Sequence, residues 1–213
     1  MAKGPSLDPM QAYEKLMAGN GRYCAGELDS AARISSARRQ ELTAGQAPFA
    51  ALLACADSRT PPEHIFDAAL GELFVCRNAG NIIDEVILGS IEYAVAHTGC
   101  PLVCVLGHNK CGAVGATVAA AKDPTGYETF NVDDIARRIM PAVLATREGQ
   151  PDDAAWIDAA ARKNVELTCR KMVRQSPLLA ARVEADEALI CGAWYDLGSG
   201  AVEVIVPPEQ VTP

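Results

Sequence analysis

Cys55, Asp57 and Arg59 stand together in the segment CADSR, and His108 and Cys111 stand together in GHNKCG. Two Cys sulfurs and one His nitrogen form a catalytic zinc set, with the fourth position left for water or substrate. A structural zinc fills all four positions, usually from close-set CxxC pairs, and this chain contains no CxxC. Each half of the set follows an apolar run that reads as a buried strand: 49–54 (FAALLA) and 102–106 (LVCVL). If the two strands lie side by side and parallel, their ends bring both thiolates and the imidazole to a common point.

Cys55 and Cys111 must lose their protons to bind a metal. Cys111, at the start of a small-residue helix over 112–121, gains from the positive end of the helix dipole. With a neutral His108 ring, two thiolates bring a zinc dication to zero net charge. Water ionised there becomes a nucleophile at near-neutral or mildly alkaline pH. Asp57 and Arg59 are two apart and share a face in an extended segment. Paired bidentately, the carboxylate stays ionised. Asp57 then has two possible roles: to accept a hydrogen bond from the attacking hydroxide, or to swing onto the zinc and close the site when Arg59 releases it. The competing reading is a loop salt bridge beside a structural zinc held by two Cys, one His and one Asp. An arginine that competes for the fourth ligand makes that a poor permanent site. Thiol redox chemistry is weaker still, because Cys55 and Cys111 lie far apart without a resolving pair.

The 213 residues fit one domain, and a hydrophobic fraction of 49% suits a globular protein. A net charge of −8 argues against a nucleic-acid surface; the arginine-rich stretch 33–39 reads as a solvated helix face. No apolar run approaches a membrane span, and the N-terminus lacks the apolar core of a secretory signal. The expected compartment is the cytoplasm, where thiols stay reduced. Cys24, Cys76, Cys100, Cys104, Cys169 and Cys191 read as small buried hydrophobes.

The elements that must position the site follow from the pattern. Residues 8–18 predict a helix capped by Asp8, which GNGRYCAG breaks; a second helix runs over 30–43 and ends at Gly45. Strands at 49–54, 72–77 and 102–106 alternate with a short helix at 61–69 and a longer one at 84–97. Helices follow at 112–121, 132–147 and 153–174. Two final strands, 188–197 and 201–206, are joined by Gly198, Ser199 and Gly200 as a hairpin. The expected class is α/β: a mixed, mainly parallel five-stranded sheet flanked by helices. It forms one domain over 1–213, with a core-poor helical arm (1–48) that packs on a partner subunit and an α/β core (49–213). In such sheets the site lies at the carboxyl ends of strands, near a switch in strand order.

The two motifs resemble the paired signatures CxDSR and HxxCG of the β-class carbonic anhydrases. The similarity extends to GNGRY (19–23), GQAPF, GELFVCRNAGN (71–81) and GSIEYAV (89–95). It implies one zinc ion per subunit on Cys55, His108 and Cys111, with the Asp57–Arg59 dyad beside it. It also implies an apolar carbon dioxide pocket of Gln46, Phe74 and Tyr93, as in the plant-like branch, with Gly112 beside the bound substrate. The implied activity is reversible hydration of carbon dioxide to bicarbonate and a proton by an ionised, zinc-bound water. The implied assembly is a homodimer with active sites at its interface, or a tetramer or larger homo-oligomer built from dimers. In the bicarbonate-inhibited branch a Trp stands where this chain has Leu52, although Arg77 and Tyr195 look like that site's other two residues. Such inhibition is therefore not expected, and an open zinc is. His64 could accept the released proton, but an ordinary loop histidine is the simpler reading; His97 reads as a helix-end residue. The alternatives are a carbonyl sulfide or carbon disulfide hydrolase with the same metal set, and a non-catalytic zinc-stabilised assembly protein. The latter predicts a lost ligand or dyad member, and none is lost.

Overall fold

A computed structural model describes residues 7–30, 34–123 and 130–212. The start of the expected second helix (31–33) and the polar loop at 124–129 lie outside the described residues. In chain order the elements are α1 (Pro9–Ala25), α2 (Ser36–Glu41), β1 (Ala50–Cys55), α3 (Pro62–Ile65), β2 (Leu73–Asn78), α4 (Glu85–Thr98) and β3 (Leu102–His108). They continue with α5 (Gly112–Lys122), α6 (Phe130–Ala145), α7 (Asp153–Gln175), α8 (Pro177–Glu184), β4 (Leu189–Tyr195) and β5 (Val202–Val206).

The five strands form one sheet in the order β2-β1-β3-β4-β5. The pairs β1–β2, β1–β3 and β3–β4 are parallel, and the closing β4–β5 hairpin is antiparallel. This is the expected mixed, mainly parallel sheet. β1 and β3 are buried along their whole length, which is why both read as unbroken apolar runs. Their side chains still alternate between two cores. Ala51, Leu53, Val103 and Val105 face α4, α7 and α8, whereas Ala50, Leu52, Leu102 and Cys104 face α1 and α3. A third cluster, around Cys55 and Cys111, is built from α5, α6 and α7.

α7 approaches the sheet closely because two strand residues lack a Cβ. A Cβ at Gly107 would lie 2.5 Å from Val165, and one at Gly192 would lie 2.7 Å from it. Val165 thus fills a notch that two glycines leave across β3 and β4.

The N-terminal helix departs from expectation. It does not break at GNGRY but runs on to Ala25 and ends at Gly26 in a left-handed turn (φ 73°). Tertiary contacts override the weak helix propensity of Gly19-Asn20-Gly21. Gly19 lies against the Phe66 carbonyl, where a Cβ would sit 2.0 Å from the oxygen. The Asn20 amide donates to the Ile65 and Gly200 carbonyls, and its oxygen accepts from Val202 N–H. Ala12 and Leu16 of this helix are fully buried in this chain's own core. The second helix is shorter than expected, because Ser35 caps a helix that starts only at Ser36. Cys24 is exposed rather than buried, since it lies on the outer side of the extended α1; the other five non-ligand cysteines are buried as expected.

A buried carboxylate fastens the end of this arm. Asp67 is 1% exposed, and it accepts from Arg22 Nε at 2.6 Å and from the backbone N–H groups of Asp29 and Ser30. Burial alone would raise its pKa, but the Arg22 and backbone donors outweigh it and hold the carboxyl below the usual carboxylate range.

Two outcomes follow. Gly19→Ala should destabilise the fold by about 1–3 kcal/mol in urea unfolding, because the helix must move off the Phe66 carbonyl. A depressed folded-state pKa stabilises fully above the unfolded value near ~4, and that contribution is lost as pH falls below it. Wild type should therefore lose stability in acid more steeply than Asp67→Asn, measured as unfolding midpoint against pH.

Candidate metal centre

The register of β1 on β3 pairs Ala54 with Leu106, so Cys55 and His108 leave the sheet side by side at its carboxyl edge. This is also where the strand order reverses, since chain order runs from β1 outward to β2 and then back across to β3. Cys111 follows at the N-cap of α5. The ligand atoms of Cys55, His108 and Cys111 all lie within 4.8 Å of one another, and the two sulfurs are 4.0 Å apart. All three residues are buried.

The chemistry of this set fits a metal ion. His108 Nδ1 lies 2.8 Å from the Asn109 carbonyl, which can only accept, so Nδ1 carries the proton. Nε2 is left with its lone pair, buried and without a hydrogen-bond partner. An orphaned acceptor facing two sulfurs is costly in a protein interior and is the form a neutral imidazole ligand takes. The thiols point the same way. A hydrogen bond from Cys111, opposed by burial and helped by Gly80 N–H at 3.4 Å, pulls Cys55 down to about 4. The same sulfur–sulfur bond, together with burial, pushes Cys111 up. The pair holds one negative charge readily and a second only against a cation.

Asp57 and Arg59 come together through a turn rather than an extended segment. Arg59 N–H donates to Asp57 Oδ1 at 2.9 Å, and Thr60 N–H closes the turn on the Asp57 carbonyl. The guanidinium then grips the carboxylate with two parallel bonds, Nε to Oδ1 at 2.9 Å and Nη2 to Oδ2 at 2.7 Å. The Arg59 bonds hold the Asp57 carboxyl well below the usual carboxylate range. Asp57 is thus engaged by Arg59 and is not one of the clustered ligand atoms. Arg59 Nη2 also reaches the Lys110 carbonyl at 3.4 Å, which links the two motif loops.

Three supporting residues brace the ligand loops. Asn109 Nδ2 donates to Asp196 at 2.6 Å, and Asn109 Oδ1 accepts from Leu197 N–H at 2.9 Å, which ties the His–Cys loop to the β4–β5 turn. Asn164 of α7 donates to the Gly80 carbonyl at 2.9 Å, and Gly80 in turn donates to Cys55. Asn109 sits inside the HNKCG motif, and Asp196 opens the Asp-Leu-Gly-Ser-Gly turn, a visible turn signal. Asn164, in mid-helix, offers no such signal.

Of the other candidates, Phe74, Tyr93 and Gln46 are not among the residues gathered around the ligands. Phe74 and Tyr93 pack against each other with ring centroids 6.1 Å apart. Phe74 pairs with Ala51, four residues before Cys55, so it lies about 13 Å back along the strand direction. Tyr93 is 51% exposed, and Gln46 is exposed. Gly112 is exposed at the first turn of α5, with nothing within 4 Å of a Cβ built on it. Arg77 is occupied, donating to the carbonyls of Cys55 and Asp57, and Tyr195 contacts Tyr23 at 3.3 Å. Leu52 is fully buried in the core. His64 is exposed, and His97 stacks on Tyr93.

Residues 50–202 match a family model described as carbonic anhydrase. The chain is 39% identical over 199 residues to carbonic anhydrase 2 of Mycobacterium tuberculosis, covering 92% of each protein. It is 38% identical over 204 residues to the carbonic anhydrase of Mycolicibacterium smegmatis, covering 94% of this chain and 95% of that one. Among solved structures, a tetrameric β-carbonic anhydrase of Sordaria macrospora superimposes with a TM-score of 0.72 at 23% identity, over 91% of this chain and 96% of that one. The Coccomyxa β-carbonic anhydrase in complex with acetazolamide gives a TM-score of 0.68 at 25% identity, over 91% and 81%.

The Asn109 tether can be tested on the metal itself. Asn109→Ala should leave the fold intact and weaken zinc retention by roughly ten- to a hundredfold in competition with a chelator. Unchanged retention would show that the loop holds its shape without Asp196 and Leu197.

Proposed function

The chain belongs to the β-class carbonic anhydrases, and on that footing we propose the roles of its residues in the reversible hydration of carbon dioxide to bicarbonate and a proton. The observation that carries the reading is the convergence of two sulfurs and one unpartnered imidazole nitrogen beside an arginine-held carboxylate. Cys55, His108 and Cys111 would hold the zinc ion, which when bound supplies a Lewis acid that ionises water near neutral pH.

The rest of the chemistry belongs to the side chains. Asp57 accepts a hydrogen bond from the attacking oxygen and aims its free electron pair at the carbon of carbon dioxide. Arg59 keeps Asp57 ionised and fixes its direction with two parallel bonds. Because Asp57 is committed to Arg59, it would not join the three ligands of a bound ion, and water would have room beside them. Gly80, held by Asn164, steadies the Cys55 sulfur through its N–H. Gly112, without a side chain, leaves room for a small linear substrate above the Cys111 turn.

We read Gln46, Phe74 and Tyr93 as the apolar pocket of the plant-like branch, formed across a dimer interface. Support comes from the half-exposed Tyr93 ring, which packs on Phe74 away from this chain's own ligands. The active unit is then a homodimer, and the tetrameric Sordaria macrospora neighbour makes a pair of dimers a natural larger form. Leu52, in place of the regulatory Trp, goes with a metal that bicarbonate does not shut off. A reducing compartment, the cytoplasm, suits a pair of buried thiols that must stay unoxidised to act as ligands.

Stopped-flow carbon dioxide hydration with metal analysis tests these roles. Wild type should carry one zinc per chain, and Cys55→Ser should lose both metal and activity. Arg59→Ala should keep its zinc but lose about ten- to a hundredfold in turnover, with Asp57 freed from its anchor. Metal-free active protein, or equal rates in Arg59→Ala, would overturn the assignment.

A further inference from the structure

α6 and α7 flank a cleft of about 640 Å³, whose lining includes Asn164 and Ile82. Its rim carries Arg137 and Arg138 from α6 and Arg170, Lys171 and Arg174 from α7. Its floor is apolar, with Ile83 and Leu167 among the lining residues. The chain as a whole holds 27 acidic residues against 19 Lys and Arg. Five cations around one cavity therefore run against the average of the molecule.

Local carboxylates answer only part of this charge. Arg137 pairs with Asp133 and Asp134, and Arg170 pairs with Glu166. Among the described residues, Arg138, Lys171 and Arg174 have no carboxylate within ion-pairing distance. Two of them are turned toward the floor: Arg138 donates to the Ile83 carbonyl at 3.3 Å, and Lys171 approaches the same oxygen at 3.5 Å. Like charges drawn together over one carbonyl repel, and a cleft of one sign concentrates counter-ions from solution. The volume is that of a small-molecule site and well beyond a single chloride or bicarbonate. Guanidinium groups on facing helices match the paired oxygens of phosphoryl groups.

We propose that the cleft between α6 and α7 is a binding site for a small phosphorylated polyanion, with its own cationic groups that are not metal ligands. Arg138, Lys171 and Arg174 receive the phosphoryl oxygens, and the apolar floor receives the body of the molecule. The site needs no metal and stands whether or not the catalytic assignments hold.

The probe is inorganic pyrophosphate, titrated by calorimetry into the zinc-loaded protein at low ionic strength. Arg138 and Arg174 are both exposed, so the double variant Arg138→Gln/Arg174→Gln should fold normally. It is expected to bind about tenfold more weakly than wild type. Arg39→Gln, which removes an exposed cation from α2, should bind as wild type does. Binding should also weaken as salt is raised. No measurable heat with wild type overturns the proposal. So does equal affinity in the double variant, the result expected if pyrophosphate only meets the metal.

Discussion

The pairing of β1 with β3 is the constraint on which the rest depends. Neither motif holds a complete ligand set: CADSR supplies one thiol, and GHNKCG supplies one thiol and the imidazole. Only a parallel register that sets Ala54 opposite Leu106 brings their ends to one point. A slip of one residue would turn alternate side chains to the other face and separate the ligands. The two cores packed on opposite faces of β1 and β3 oppose such a slip, since each expects its own alternate residues. The register of the metal centre is thus set by hydrophobic burial well away from it.

The second level of control is electrostatic. Two sulfurs 4.0 Å apart inside the protein cannot both carry charge without a counter-ion. The sulfur pair shares one charge, helped by the Gly80 N–H on Cys55, and leaves the other to the cation. Asp57 is taken up by Arg59 and does not join the sulfurs as a third anionic ligand. Arg77 adds order without charge transfer, because it holds backbone carbonyls of Cys55 and Asp57 rather than side chains.

Much of this was legible in the sequence. The fully buried strands announced themselves as apolar runs, the hairpin as Gly-Ser-Gly, and the ligands as Cys and His at strand ends. The misses share a cause. Gly19 and Asn20 look like helix breakers until the Phe66 carbonyl and the β5 backbone lie against them. Asp57 and Arg59 meet through a turn that the two-residue spacing alone does not distinguish from an extended strand. Asn164 is one polar residue in a long amphipathic helix, and only the notch at Gly107 and Gly192 explains why α7 comes near enough to reach Gly80. Local propensity and pattern report what a residue prefers. They do not report which distant backbone atom will need it.

The separation of the two sulfurs along the chain, 56 residues, has a kinetic meaning. In a zinc finger the ligands lie close in sequence, and the ion itself organises an otherwise unstructured peptide. Here β2 and α4 intervene, so the loop between the ligands must close before any ion finds its third donor. The sheet is therefore a prerequisite for metal capture and not its product. A chain that folds this way would offer the ion a site already shaped by the sheet.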